Sequence, residues 1–212
     1  MTRQHLRNSN VRVDLRLFLT LLVSGIGVAD NTDTMEWDPS RQLTWEDFAG
    51  PVPGGTEEQR VAATAASLAW SFEYTIEWSL IACKFRIDSI DSLALFHRDS
   101  SWVRDNHRRD AVLQHEQGHF DILQLHKLKF EAATREFVGS FRSCRGRNER
   151  SATRDTKEAI DRLVGPIYDS AWGEYRAEQE AYDAQTRHGT DAAAQSEWTG
   201  RIARRLATTM SK

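Results

Sequence analysis

Cysteine is scarce in this chain of 212 residues, net charge is small, and no apolar run is long enough to cross a bilayer. Each scarcity excludes something. The longest apolar run, Leu17–Val28, has 12 residues, against the ~20 that a helix needs to span ~30 Å of hydrocarbon, so a polytopic membrane protein is excluded. With 28 basic and 31 acidic side chains the net charge is −3, and nothing basic overall points to nucleic acid. Internal repeats and low-complexity tracts are absent, which excludes collagen-like and disordered classes. What remains is enough chain, 40% hydrophobic, for one globular domain with a real core.

Charge is uneven along the chain. Residues 1–29 hold Arg3, Arg7, Arg12 and Arg16 against Asp14 alone. A basic start, the uncharged run Leu17–Val28 and small residues at Gly27 and Ala29 make the tripartite pattern of a secretory signal peptide cut after Ala29. The expected organisation is therefore a signal peptide at 1–29 and a single domain at 30–212, secreted or periplasmic, with no stable membrane span after cleavage. In an oxidising compartment Cys83 and Cys144, which have only each other to pair with, form a disulfide. Neither lies in a CxxC-type spacing, so they make a poor metal pair.

Residues 30–60 are turn-rich and punctuated by Trp37, Trp45 and Phe48, aromatic anchors onto a core. From Val61 to about Leu95, stretches such as Leu68–Ile76 and Cys83–Ile90 alternate apolar and polar residues with many aromatic and β-branched members, which predicts two to four antiparallel strands. Asp105 to Phe141 contains no proline and places Leu113, Phe120, Ile122, Leu125, Leu128 and Phe137 at helical spacing. A charged linker, Arg142–Arg154, precedes a second helical segment, Ser151–Gly189, with a bend expected at Gly165-Pro166. Asp191 caps a last helix running to about Thr208. Strands followed by helices give an α+β class, a small antiparallel sheet and then long helices.

His115-Glu116-Gln117-Gly118-His119 is an HExxH motif inside the first helix. Residues four apart share a helix face, so both imidazoles can reach one zinc ion at about 2.1 Å. Glu116 lies beside that face, where its carboxylate can take a proton from water made acidic by the metal. From 7 His and 15 Glu, about 0.016 copies of this motif arise by chance, so composition alone does not explain it.

A catalytic zinc takes three protein ligands and keeps one position open. His126 lies about 10.5 Å beyond His119 along a continuous helix, too far to share the ion, and Asp121 points roughly 160° away from His119. The third ligand is expected from a later element. His188, at a helix end before Gly189 where the chain turns sharply, leads; Glu174, Glu178 and Glu180 are the alternatives. Tyr182 or Tyr175 is a candidate hydrogen-bond donor to an oxyanion, or else a core tyrosine. Asp121 and Asp183 are candidates to orient a ligand histidine, or else solvated or capping acids. Gln195 and Trp198 are expected to pack locally, and Arg104, Arg108 and Arg109 to form a solvated basic face.

Four segments carry a resemblance: Leu43–Pro51 (LTWEDFAGP), Ser101-Trp102-Val103, Leu113–Asp121 (LQHEQGHFD), and Tyr182-Asp183 through Thr186-Arg187-His188-Gly189, followed by Gln195 and Trp198. In this order they resemble the bacterial family of predicted secreted zinc-dependent proteases, long catalogued as a domain of unknown function. The resemblance implies a zincin-like metallopeptidase acting on a peptide or protein substrate, with His115, His119 and His188 as metal ligands and Glu116 as catalytic base. Gln185 stands where the family is expected to carry a glutamate. The alternative reading is a non-catalytic envelope binding module whose zinc is structural, with closed coordination by four protein ligands.

Overall fold

In the computed structural model, which describes residues 2–8, 33–58, 60–78, 82–146 and 148–211, strands precede helices as the hydrophobic periods predict. The strands are β1 (Thr2–Asn8), β2 (Thr34–Glu36), β3 (Ala62–Ala63), β4 (Ala66–Trp78), β5 (Cys83–His97), β6 (Trp102–Val103) and β7 (Phe141–Ser143). The helices are α1 (Asp110–Thr134), α2 (Glu149–Thr186) and α3 (Ala192–Met210). The main sheet runs β1-β4-β5-β2 with β7 also paired to β5, and β1–β4, β2–β5 and β5–β7 are antiparallel pairs; β3 and β6 form a separate antiparallel pair. The class is α+β. One strand falls outside the expected order, since β7 starts at the last residue of the segment expected to be helical, runs into the one expected to be a charged linker, and joins the sheet after α1.

Of the residues expected to form a leader, 2–8 are the β1 strand, pairing with Trp78 through Phe72 of β4. The apolar run Leu17–Val28 and the cut after Ala29 lie outside the described residues. Among the described residues no helix is long and apolar enough to cross a membrane.

The described residues fold as two compact units, each drawn from three stretches of chain. One holds residues 2–8, 69–92 and 126–176. Its core is aromatic: Trp70, Phe72 and Tyr74 from β4 and Phe85 from β5 are buried, as are Phe130 of α1 and Tyr168 of α2. The Phe130 ring lies 6.2 Å from Trp70 and 6.3 Å, edge-on, from Tyr168. The disulfide between Cys83 and Cys144 is formed here, with Cα atoms 5.0 Å apart, and fastens the chain beyond β7 to the start of β5. Within this unit α2 passes through Pro166 without stopping. A proline removes one donor and leaves the carbonyl four residues earlier without its partner; Pro166 and Arg162 both lie on the exposed face, where water can serve that carbonyl.

The second unit holds residues 33–68, 93–125 and 177–211. Phe48, Phe96 and Phe120 form its aromatic chain, with centroids 5.3 and 5.6 Å apart. The turn-rich segment is tied down by Asp47, which is buried, accepts from the Thr44 N–H at 2.9 Å, and pairs with Arg41 at 3.0 Å and Arg98 at 3.5 Å. Gly50 passes so close to the 99–101 backbone that a Cβ there would come within 2.8 Å of the Ser101 carbonyl oxygen. Asp191 caps α3, its carboxylate accepting from the Ala194 N–H at 3.1 Å. All four segments that carry the family resemblance lie in this unit.

The disulfide closes a loop with a sequence separation of 61, worth up to roughly 4 kcal/mol in the chain-entropy model. Thermal unfolding followed by calorimetry is expected to show the doubly substituted Cys83→Ser, Cys144→Ser chain melting about 5–10 °C lower, and added reductant to bring the native chain to the same point. Equal melting temperatures would show that the bridge contributes nothing to the folded state.

Candidate metal centre

Helix α1 presents His115 and His119 on one face, as the four-residue spacing dictates. Against that face lie the last two turns of α2. The two imidazole Nε2 atoms stand 3.1 Å apart, and Asp183 Oδ1 lies 3.0 Å from each. His115 is buried and the other two are half-buried. These three side chains form the one His/Cys/Asp/Glu group among the described residues whose donor atoms converge as a metal site requires.

The histidine tautomers follow from the outer partners. His115 Nδ1 faces Gln195 Oε1 of α3 at 3.1 Å, and His119 Nδ1 is hydrogen-bonded to Gln179 Oε1 of α2. An amide oxygen only accepts, so each Nδ1 carries the proton and donates it. The Gln179 orientation is fixed in turn by its own NH2 group, which donates to the His119 carbonyl at 2.9 Å. Both Nε2 atoms then present lone pairs to each other and to a carboxylate oxygen. Three acceptors this close repel unless a cation lies among them: a proton in the metal-free chain, or a metal ion.

The electrostatics carry the same mark. Burial opposes charge on His119, but the hydrogen bond and charge of Asp183, with the nearby Glu116 carboxylate, outweigh it and raise the imidazole above its ordinary value. Burial likewise pushes the Asp183 carboxyl up, and the hydrogen bonds and charges of His115 and His119 overcome this to hold it well below the usual carboxylate range. For comparison, two donors each about 2.1 Å from a tetrahedral ion stand about 3.4 Å apart. The observed 3.0–3.1 Å is within a few tenths of that, so the residues present fit a small divalent ion bound from one side by three protein ligands.

Glu116, only 4% exposed, accepts a hydrogen bond at Oε2 from the Thr64 hydroxyl at 2.7 Å. Thr64 follows directly after β3, whose pairing with β6 holds it in place. The two residues inside HExxH also have identifiable tasks. Gln117 accepts from the Leu43 N–H at 2.7 Å and donates to Asp121 at 2.7 Å, tying the LTWEDF segment to α1. Gly118 leaves room for Tyr182, because a Cβ at that position would come within 2.7 Å of the phenol Cζ.

His188 is not at the centre of the cluster: α2 ends at Thr186, and His188 falls in the left-handed turn after it (φ 53°). Its side chain is 74% exposed, with Nδ1 3.5 Å from Asp183 Oδ1. Asp183, a candidate to orient a histidine or else a solvated or capping acid, is the third converging donor, because the helix still runs there and aims its carboxylate at α1. Asp121 contacts neither histidine; it accepts from Trp37 Nε1 at 2.8 Å and from Gln117, and burial pushes its carboxyl up. Tyr182 is fully buried, stacked on His115 with centroids 4.6 Å apart. Its hydroxyl donates to the His115 carbonyl at 3.1 Å and accepts from Gln195 at 2.7 Å, so it braces the site and is not free to serve an oxyanion.

The alternative ligands are engaged elsewhere: Glu178 with Arg205, and Glu174 with Lys129 in the other unit. Tyr175, also there, packs 5.0 Å from Trp172. Arg104 donates to the carbonyls of Thr56 and Arg60 and is not part of a free basic face. Sequence reasoning missed Gln179 and Thr64 and underrated Gln195. Gln179 was findable, since it sits four residues before Asp183 on one helix face; Thr64 gave no local signal.

Gly118→Ala is expected to force Tyr182 off His115 and cost about 1–3 kcal/mol, as overpacking does. Gly173→Ala, at a site with open space around it, serves as the tolerated control. Gln195→Ala should weaken metal binding about 10–100-fold, read by competition with a coloured chelator; unchanged affinity would remove the amide from any part in holding the ion. No family model, no curated protein and no solved structure matches this chain.

Proposed function

We propose that this chain is a zinc-dependent, zincin-like peptidase that hydrolyses peptide bonds outside the cytoplasm. The reading rests on one observation: the two HExxH imidazoles and a carboxylate from a distant helix converge within 3.1 Å, with both outer nitrogens already committed. Two imidazoles and one carboxylate suit zinc, and three protein ligands leave the fourth position that catalysis needs. Bound there, zinc supplies Lewis acidity and makes water acidic enough to lose a proton near neutral pH.

The chain's own residues would do the rest. Glu116 takes the proton from the attacking water and passes it to the leaving amine. Thr64 occupies Oε2 and so leaves Oε1 as the atom that takes it. Gln179 and Gln195 keep both Nε2 atoms turned towards the ion, and Tyr182 prevents the His115 ring from rotating. Export is supported by the disulfide, which is of the kind that persists in oxidising compartments.

The test is Glu116→Gln, which preserves shape and removes the base. Metal content by mass spectrometry is expected to stay at one zinc per chain, while cleavage of a mixed peptide library falls about 10²–10⁴-fold. A chelator should abolish the native activity and zinc restore it. Stoichiometric zinc with no cleavage of any peptide by the native protein would instead favour a binding module with a structural metal.

A further inference from the structure

The outer edge of β4 is covered by a strand that suits it only in part. Among the described residues, β4 has β5 on one side and β1 alone on the other, in antiparallel register over Phe72–Trp78. These stretches belong to one compact unit. Side chains alternate across a strand, so the edge presents two rows. Phe72, Tyr74 and Ile76 form the buried row. Glu73, Thr75 and Glu77 form the other, with both glutamates half-buried and the Thr75 hydroxyl donating to Asp88 of β5 at 2.7 Å. The register sets Arg7 opposite Glu73 and Arg3 opposite Glu77, and opposite charges at facing positions stabilise an antiparallel pair. Against the buried row it sets Asn8, Leu6 and Gln4. Two of those three are polar, where a strand packed on a core carries apolar residues. The cap matches its edge in charge and not in apolar character.

The cap is also removable. β1 lies wholly within residues 1–29, the segment that export takes away, so the inference rests on the export part of the proposed function. Without β1, the outward backbone N–H and C=O groups over Phe72–Trp78 lose their partners, and a bare strand edge is a template for another strand. A second copy of the chain suits it badly. Two β4 edges paired antiparallel over the same seven positions set each Glu73 opposite the other copy's Glu77, and like charges directly opposite repel. The two acids that refuse a copy favour a basic strand.

We infer that the β4 edge of the processed chain receives an extended segment of another protein by strand addition. That segment carries basic residues four apart, facing Glu73 and Glu77, and apolar residues facing Phe72, Tyr74 and Ile76. The edge belongs to the unit that does not hold the metal triad, and its occupation needs neither zinc nor peptide cleavage.

The test uses the full chain with its cap released in two independent ways: His5→Pro with Leu6→Pro, since proline cannot donate to the ladder, and Arg3→Glu with Arg7→Glu, which sets like charges opposite Glu73 and Glu77. Circular dichroism checks that each keeps its fold. The probe is a labelled peptide with the core Val-Arg-Val-Thr-Leu-Arg-Val; its counterpart carries glutamate in place of both arginines. Fluorescence anisotropy is expected to give a Kd on the order of tens of micromolar for the arginine peptide with either released chain. The glutamate peptide should bind about tenfold more weakly, and so should the arginine peptide to the native, capped chain. Adding Glu73→Lys and Glu77→Lys to the proline variant should reverse the preference between the peptides. No binding at millimolar peptide, equal binding of the two peptides, or native binding as tight as that of the released chains would overturn the proposal. So would sedimentation showing that the released chains dimerise, since the occupant would then be a second copy. N-terminal sequencing of the exported protein is expected to begin at Asp30. An exported chain that keeps Thr2–Asn8 would overturn the removal of the cap, and this proposal with it, while leaving the zinc chemistry untouched.

Discussion

Three hydrogen-bond acceptors brought within 3.1 Å of one another are the constraint to which the surrounding structure answers. Left alone, the imidazoles would rotate and the carboxylate would turn to water. They are held because every outer contact is already made. The amide oxygens of Gln179 and Gln195 take the Nδ1 protons, and the Tyr182 ring lies flat on His115. Tyr182 can do this only because position 118 lacks a side chain, and the turn after α2 can lie against His115 only because position 189 is glycine, where an added Cβ would come within 2.8 Å of the His115 Cβ. Small residues and neutral amides here do more for the site's geometry than any ion pair.

The choice of amides has a further consequence. Where a carboxylate backs a ligand histidine, it raises the imidazole's basicity and adds negative charge. With amides at both histidines, the triad's only formal negative charge is that of Asp183. A bound divalent ion would keep a net charge of +1 across the first set of ligands, which favours acidification of bound water and polarisation of a carbonyl. Glu116 is the neighbouring acid, and its carboxylate is anchored through Thr64 by a neutral hydroxyl, so its charge is not cancelled by a cation there.

Much of the fold was legible because burial leaves a period in the sequence. Alternation in LAWSFEYTI and CKFRIDSI located β4 and β5, and the stripe from Leu113 to Leu128 located α1. HExxH located two of the three converging donors through the four-residue helical repeat. For the third, the structure brings Asp183 to the pair and leaves His188 in the turn after α2, 3.5 Å from that carboxylate, and the reason is local. Whether α2 ends at Thr186 or at Gly189 decides which side chain, Asp183 or His188, is aimed at α1, and helix ends are set by the tertiary setting as much as by residue type. Thr186 itself helps set that end, its hydroxyl donating to the Tyr182 carbonyl at 2.7 Å and accepting from the Gly189 N–H at 3.2 Å. Thr64 was invisible because its partner is 52 residues away, and β7 because three residues are too few to show a period.

The helix that presents the histidines has several of its faces committed within this unit. Residues 115 and 119 look towards Asp183, Phe120 towards the aromatic chain with Phe96, and Gln117 towards Leu43. The two intervening residues of the motif are therefore as constrained as the named ones: Gln117 bonds the strand-free segment that carries Trp45 and Phe48, and Gly118 admits Tyr182. Replacing either would act on the histidines indirectly, through the segment or the ring that each positions. The four segments, far apart in the chain, lie in one compact unit: Leu43 bonds Gln117, Trp102-Val103 pairs with the strand just before Thr64, and Tyr182, Asp183 and Gln195 contact the histidines themselves.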